Sequence, residues 1–250
     1  ATFRWTHGVD PSAITLPEKE AYFFLEAKHG RRLRMCRYIC GTWQLGNWLK
    51  IPGFYSAAQL DSELARQHIV SKMKIGFSSF DTAPHYGRAL ETFAQALHDS
   101  GLSDDVRRSC CIMTRYAPVP CEMQQSWVKE FVAESRQLLR TDKVDIVQLH
   151  WPDFNQTAYL DTLRWLCSNE RVSAVAVTNF NVHALSRAID EHHLPISANV
   201  VSLSVIDRRP LEELLPFCRG HNVHVFAYGV LLGGLLSEVW LGRREPLGKE

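Results

Sequence analysis

Apolar runs of strand length alternate with segments of helical period along most of this chain, and the alternation predicts an α/β fold. The strand-like runs cover residues 36–41, 77–82, 110–114, 144–149, 172–177, 198–203 and 223–227. Between them lie amphipathic stretches. Ser56 with Gln59 resembles a capping box ahead of a helix with Leu60, Leu64 and Met73 on one face. Leu90, Phe93, Ala94 and Leu97 form an i, i+3, i+4, i+7 stripe that stops at Gly101. Trp127, Val128, Phe131, Val132, Ser135, Leu138 and Leu139 mark the buried side of the next helix, and Leu160, Leu163 and Leu166 that of another. Asn181 is placed to cap a helix carrying Leu185, Ala188 and Ile189, and Pro210 opens one with Leu211, Leu214 and Leu215.

Strands this apolar are buried on both faces, which implies a parallel sheet between helices. Seven of them point to a (β/α)8 TIM-type barrel more than to an open doubly wound sheet, and no Gly-x-Gly-x-x-Gly follows the first run. Ahead of the first run, residues 21–25, followed by charged residues and Gly30, fit a hairpin strand plugging the bottom of the barrel.

Composition narrows the class. With 250 residues, 46% of them hydrophobic and 22% charged, the chain is long enough for one barrel domain spanning 1–250. A formal net charge of +1 gives no general pull toward nucleic acid or anionic lipid, and Arg31, Arg32 and Arg34 read as a solvated turn. No apolar stretch approaches the roughly 18 residues of a membrane span, and the N-terminus lacks a signal-peptide core, so a cytoplasmic protein is expected. The seven cysteines are odd in number and mostly sit inside apolar runs, as small buried hydrophobes do in a reducing compartment. Cys36 and Cys40 lack nearby partners for zinc, and no metal is expected.

Active sites of barrels gather at the C-terminal ends of strands. Asp81, Arg115, His150, Asn179 and Tyr228 all fall at or just past such ends. Each alone reads better as a turn carboxylate, a surface cation, a packed histidine, a helix-capping amide or a rim aromatic. Together they mark one shared site. Residues 80–87, Phe-Asp-Thr-Ala-Pro-His-Tyr-Gly, place a carboxylate and a phenol five positions apart. A carboxylate can hold a cation, and the cation can poise a tyrosine as a general acid.

Several segments together resemble the aldo-keto reductases, from about Cys36 to Glu245. They are Gly-Thr-Trp at 41–43, the segment 80–87, Val-Gln-Leu-His-Trp-Pro-Asp at 147–153, Val-Thr-Asn-Phe at 177–180, Ile-Asp-Arg-Arg-Pro at 206–210 and Ala-Tyr-Gly-Val-Leu-Leu-Gly-Gly-Leu-Leu-Ser at 227–237. The resemblance implies a barrel enzyme that reduces aldehydes and ketones, or runs the reverse, with NADP as cofactor and a small-molecule carbonyl substrate. It implies Tyr86 as general acid, Asp81 orienting a basic residue beside it, and His150 fixing the carbonyl. For the cofactor it implies Thr42 and Trp43, Thr178 and Asn179 on the carboxamide, Tyr228 stacked on the nicotinamide, and Gly229, Leu231 and Gly233 along the diphosphate.

Three departures from the family pattern stand out. The expected lysine is replaced by Arg115, which keeps the charge on a longer, planar fork. Val200 stands where a glutamine usually binds the carboxamide, with Asn199 the neighbour placed to compensate, and Leu203 where an aromatic is common. The seventh strand's loop is followed closely by Lys249 and Glu250, so the eighth strand and last helix are expected to be lacking. These departures leave a second reading open, a non-catalytic barrel of the same family with a binding or regulatory role.

Overall fold

The structure is a computed structural model that describes residues 21–46, 62–119, 123–236 and 238–242. Ser56, Gln59 and Leu60 lie outside the described residues. An antiparallel hairpin of β1 (Tyr22–Glu26) and β2 (Arg32–Cys36) comes first. Then follow β3 (Ile39–Gly41), α1 (Ser62–Lys74), β4 (Ser79–Asp81), α2 (Ala89–Asp99), α3 (Asp104–Ser109), β5 (Cys111–Tyr116), α4 (Gln125–Leu139) and β6 (Val144–His150). The chain continues with α5 (Ala158–Ser168), β7 (Val172–Thr178), α6 (Val182–Ser186) running into a wider turn, β8 (Ile196–Ser202), α7 (Leu214–Gly220) and β9 (His224–Tyr228). Strands β3 to β9 form one parallel sheet in chain order, the barrel-type arrangement of consecutive βα units. Among the described residues the sheet holds seven strands, as the apolar runs predict, with β3 and β9 at its edges.

Period-two alternation sorts each strand's side chains to two cores. Cys111, Met113, Ile146, Ala174, Ala176, Ala198, Val200 and Phe226 face one another on the inner side. Val147, Leu149, Val175 and Val177 point the other way, against Leu160, Leu163, Leu166 and Leu185 of the helix layer. The hairpin closes the inner core at the N-terminal ends of the strands, where Leu25 and Met35 are completely buried in it. Lys28 fastens it there: its Nζ donates to the carbonyls of Leu166 (3.4 Å), Cys167 (3.0 Å) and Asn169 (2.7 Å) at the end of α5. Leu166 O also accepts the Asn169 N–H and Asn169 O the Val172 N–H, so the ammonium adds to the bonds of the helix end and the turn that follows it.

Helix faces follow the predicted period, with narrower stripes. In α1 the buried residues are Ala65, Ile69 and Met73, an i, i+4, i+8 line, and Leu64 is exposed beside it. In α4 they are Val128, Val132, Ser135 and Leu139, while Trp127 and Leu138 face outward. The stripe of α2 is buried as predicted, and Asn181 caps α6 by accepting from the Ala184 N–H at 2.8 Å. Leu211 precedes α7 and is exposed; Cys218 is that helix's buried residue. No described helix is long and apolar enough to cross a membrane, and no described group of three His, Cys, Asp or Glu is placed to hold a metal ion.

Candidate active site

Parallel register sets polar residues near the ends of β5, β6 and β7 beside one another. Arg115 lies opposite Gln148, His150 opposite Thr178, and Thr178 opposite Val200. Asp81 is the last residue of β4, and its carbonyl accepts from the Thr42 N–H at 2.9 Å and the Thr42 hydroxyl at 3.1 Å. The loop after β3 is thereby tied to the residue that carries the carboxylate.

The centre of the site is an ion pair. Arg115 Nη2 donates to Asp81 Oδ2 at 3.1 Å, and the two side chains are only 13% and 16% exposed. Gln148, completely buried, completes a ring: its Oε1 accepts from Arg115 Nε (3.3 Å) and Nη2 (3.2 Å), and its Nε2 donates to Asp81 Oδ1. The Thr178 hydroxyl donates to the same Oε1 at 3.0 Å, so the amide joins the ion pair to the end of β7. Hydrogen-bond partners offset the cost of burying a charge pair, and here Gln148 supplies them to Asp81 Oδ1 and to the Nε–Nη2 edge of Arg115. Burial raises Asp81 above its ordinary value, and the Arg115 charge and the Gln148 amide pull against that rise.

Tyr86 sits against this pair, 3% exposed, with the guanidinium carbon 5.6 Å from its ring centroid and the His85 ring edge-on at 4.8 Å. Burial and then the Asp81 charge push its phenol above the ordinary value, with Arg115 opposing. Tyr86 therefore keeps its proton at neutral pH. His150 and His85 are both lowered, by loss of solvent first and by the Arg115 charge second, which leaves neutral imidazoles beside the guanidinium.

A second group lies toward β9. Asn179, in the left-handed region at φ 59°, donates its N–H to the Val200 carbonyl at 2.9 Å. Its Oδ1 accepts from the Tyr228 hydroxyl at 3.1 Å, and the Tyr228 ring is 43% exposed. Gly229 and Gly233 follow at φ 73° and 67°; a Cβ on Gly233 would meet nothing within 4 Å, so backbone conformation rather than space favours glycine there. Leu231 between them and Trp43 after β3 are exposed.

The structure thus pairs Asp81 with Arg115, sets the Tyr86 ring under the guanidinium, attaches Thr178 through Gln148, sets Thr42 behind Asp81, and pairs Asn179 with Tyr228. Gly229, Leu231 and Gly233 lie in the loop past β9, apart from the ion pair. Asn199 does not compensate for Val200. It faces the helix layer, where its side chain accepts from the Phe180 N–H (3.4 Å) and donates to the Phe180 carbonyl (2.9 Å), while Val200 packs into the inner core. Gln148 escaped the sequence reading because it sits inside an otherwise apolar run. Its signal was the inward phase it shares with His150, two residues on.

A parallel barrel-type sheet with a carboxylate, a cation, a phenol and a histidine at its C-terminal edge defines an α/β protein whose polar site sits where barrel enzymes place theirs. The sequence model described as the Aldo/keto reductase family matches residues 37–246, and the chain belongs to that family. Aldo-keto reductase YhdN of Bacillus subtilis is 24% identical over 207 residues, covering 79% of this chain and 59% of the relative. The NADH-specific methylglyoxal reductase of Escherichia coli is 26% identical, covering 82% of this chain and 66% of the relative. Among solved structures, the thermostable aldo-keto reductase Tm1743 with the inhibitor epalrestat superimposes with a TM-score of 0.70 at 25% identity, over 87% of this chain and 76% of that one. The chain spans about three fifths of the length of curated relatives such as YhdN.

Proposed function

We propose that the protein, as a single barrel domain, reduces an aldehyde or ketone to an alcohol, or runs the reverse, with Tyr86 as the proton donor. The observation that carries this is the buried Asp81–Arg115 pair set against the ring of Tyr86 in a chain of this family. The residues toward β9 suit a nicotinamide cofactor: the Thr178 and Asn179 side chains can meet its carboxamide, the open Tyr228 ring can stack on it, and the loop of Gly229, Leu231 and Gly233 can follow its diphosphate. Trp43, exposed after β3, belongs to the same rim.

When bound, that cofactor supplies the hydride that reaches the carbonyl carbon. Tyr86 O–H gives its proton to the carbonyl oxygen, and the Arg115 guanidinium stabilises the phenolate that remains. His150, neutral at pH 7, donates a hydrogen bond to the carbonyl oxygen and fixes its angle. Asp81 keeps the guanidinium beside the phenol.

We assign NADP as the cofactor from the family resemblance, although the Escherichia coli relative is named as NADH-specific. The six described free cysteines accord with a cytoplasmic setting. The test is oxidation of NADPH and of NADH against methylglyoxal, glyoxal and 4-nitrobenzaldehyde, with Tyr86→Phe alongside. Loss of the general acid should lower the rate by about 10²- to 10⁴-fold. Turnover that is indifferent to this change overturns the assignment, and faster use of NADH overturns the choice of NADP.

A further inference from the structure

We propose that Gln148 is a positioning residue that builds this site around an arginine, so that Arg115 and Gln148 form a matched pair rather than a damaged lysine site. The inference rests on the reductase reading for its kinetic part only.

The orientation of the Gln148 amide is fixed by its neighbours. Oε1 faces two guanidinium N–H groups and the Thr178 hydroxyl, and Nε2 faces the Asp81 carboxylate. A flipped amide would set N–H against guanidinium and oxygen against carboxylate, two repulsions at full burial. In its observed orientation Gln148 holds the Nε–Nη2 edge of the guanidinium while Asp81 holds Nη2. Two partners on a planar group fix its plane, and that plane lies beside the Tyr86 ring.

Lysine at position 115 carries no Nε at that level. One ammonium would then have to serve both the Asp81 carboxylate and the completely buried Gln148 Oε1, which takes two guanidinium N–H bonds along one edge in the arginine site. Restoring the family's usual lysine in this chain is therefore expected to lower the rate, not to raise it. Because the same Oε1 holds Thr178, removing the amide should also disturb the carboxamide side of the site.

The experiment is a double-mutant cycle of Arg115→Lys and Gln148→Met, read by urea unfolding and by steady-state kinetics with NADPH and 4-nitrobenzaldehyde. In unfolding, Arg115→Lys should destabilise strongly when Gln148 is present and much less in the Gln148→Met background; additive effects overturn the pairing. In kinetics, Gln148→Met should lower kcat by at least about tenfold and raise the KM for NADPH, because it removes the two bonds that Gln148 takes from Arg115 and the one it gives to Asp81. Unchanged kcat and KM, or a rate gain in Arg115→Lys alone, overturn the positioning role.

Gln148→Glu adds a readout that simple packing would not give. A protonated carboxyl restores both halves of the amide, an acceptor for Arg115 and a donor to Asp81, whereas the ionised form repels Asp81. Its kcat should recover as the pH is lowered while the parent protein shows no such limb, and a parallel pH profile counts against the proposal. If the parent protein turns nothing over, the reductase reading fails by itself and the unfolding cycle alone decides whether the two residues are matched.

Discussion

A side chain's neighbours decide its proton affinity, and Asp145 shows this away from the active site. Burial pushes its carboxyl up to about 6, although it accepts the Ile112 N–H at 2.9 Å and the Arg31 charge pulls the other way. The folded state therefore binds this proton more tightly than the unfolded chain does. The contribution is most favourable below about pH 4, declines as the pH rises to about 6, and stays unfavourable above that. Asp145→Asn keeps an oxygen for the Ile112 N–H and removes the buried charge. It should raise stability at pH 7 by up to about 3 kcal/mol and by little at pH 4, in urea melts at the two values. Asp81 is raised for the same reason, yet there a guanidinium and an amide hold the charge in place. Asp81, Tyr86 and His150 were legible because strand ends and motifs mark them. Gln148 and the true commitment of Asn199 were not, because both depend on which strand lies opposite and which way the pleat faces.

Elements were more legible than their faces. All seven sheet strands fall within or close to their apolar runs, since a run buried on both sides carries few polar positions to blur it. Helix faces were overdrawn at Leu64, Trp127 and Leu138, each next to the true stripe, because a helix lying on a curved sheet buries a narrower line than its apolar residues span. The hairpin shows a long-range link that no periodicity announces. Lys28 from β1–β2 caps α5 across some 140 positions of sequence, with three carbonyls on one ammonium. Burial lowers its pKa, so the bonds are made at a cost in solvation. Lys28→Met keeps most of the side chain's length and removes the donor. It should destabilise by about 1–3 kcal/mol and speed amide exchange in both the hairpin and the last turn of α5. Faster exchange in the hairpin alone would show that the ammonium does not hold the helix end.

Across the whole molecule, stability and chemistry occupy opposite ends of the same strands. The N-terminal ends carry the hairpin plug, where Leu25 and Met35 fill the inner core against Cys111, Met113 and Ile146. The C-terminal ends carry Asp81, Arg115, Gln148 and Thr178, which spend polar groups where packing would favour apolar ones. Barrels separate the two tasks in this way because loops can vary at one end without disturbing the other. Two substitutions should therefore fail in opposite ways. Leu25→Ala removes a completely buried side chain and should cost about 2–5 kcal/mol of unfolding free energy. Its kcat and cofactor KM, corrected for the folded fraction, should stay those of the parent. Thr178→Val keeps the shape of a buried residue and removes one hydrogen bond to Gln148, so it should change stability by only about 1 kcal/mol. It should nevertheless raise the NADPH KM and lower kcat together, because the amide it releases orients Arg115. A loss of kcat in Leu25→Ala comparable to that in Thr178→Val would mean that the plug and the site form one mechanical unit, and the division between the two ends would have to be abandoned.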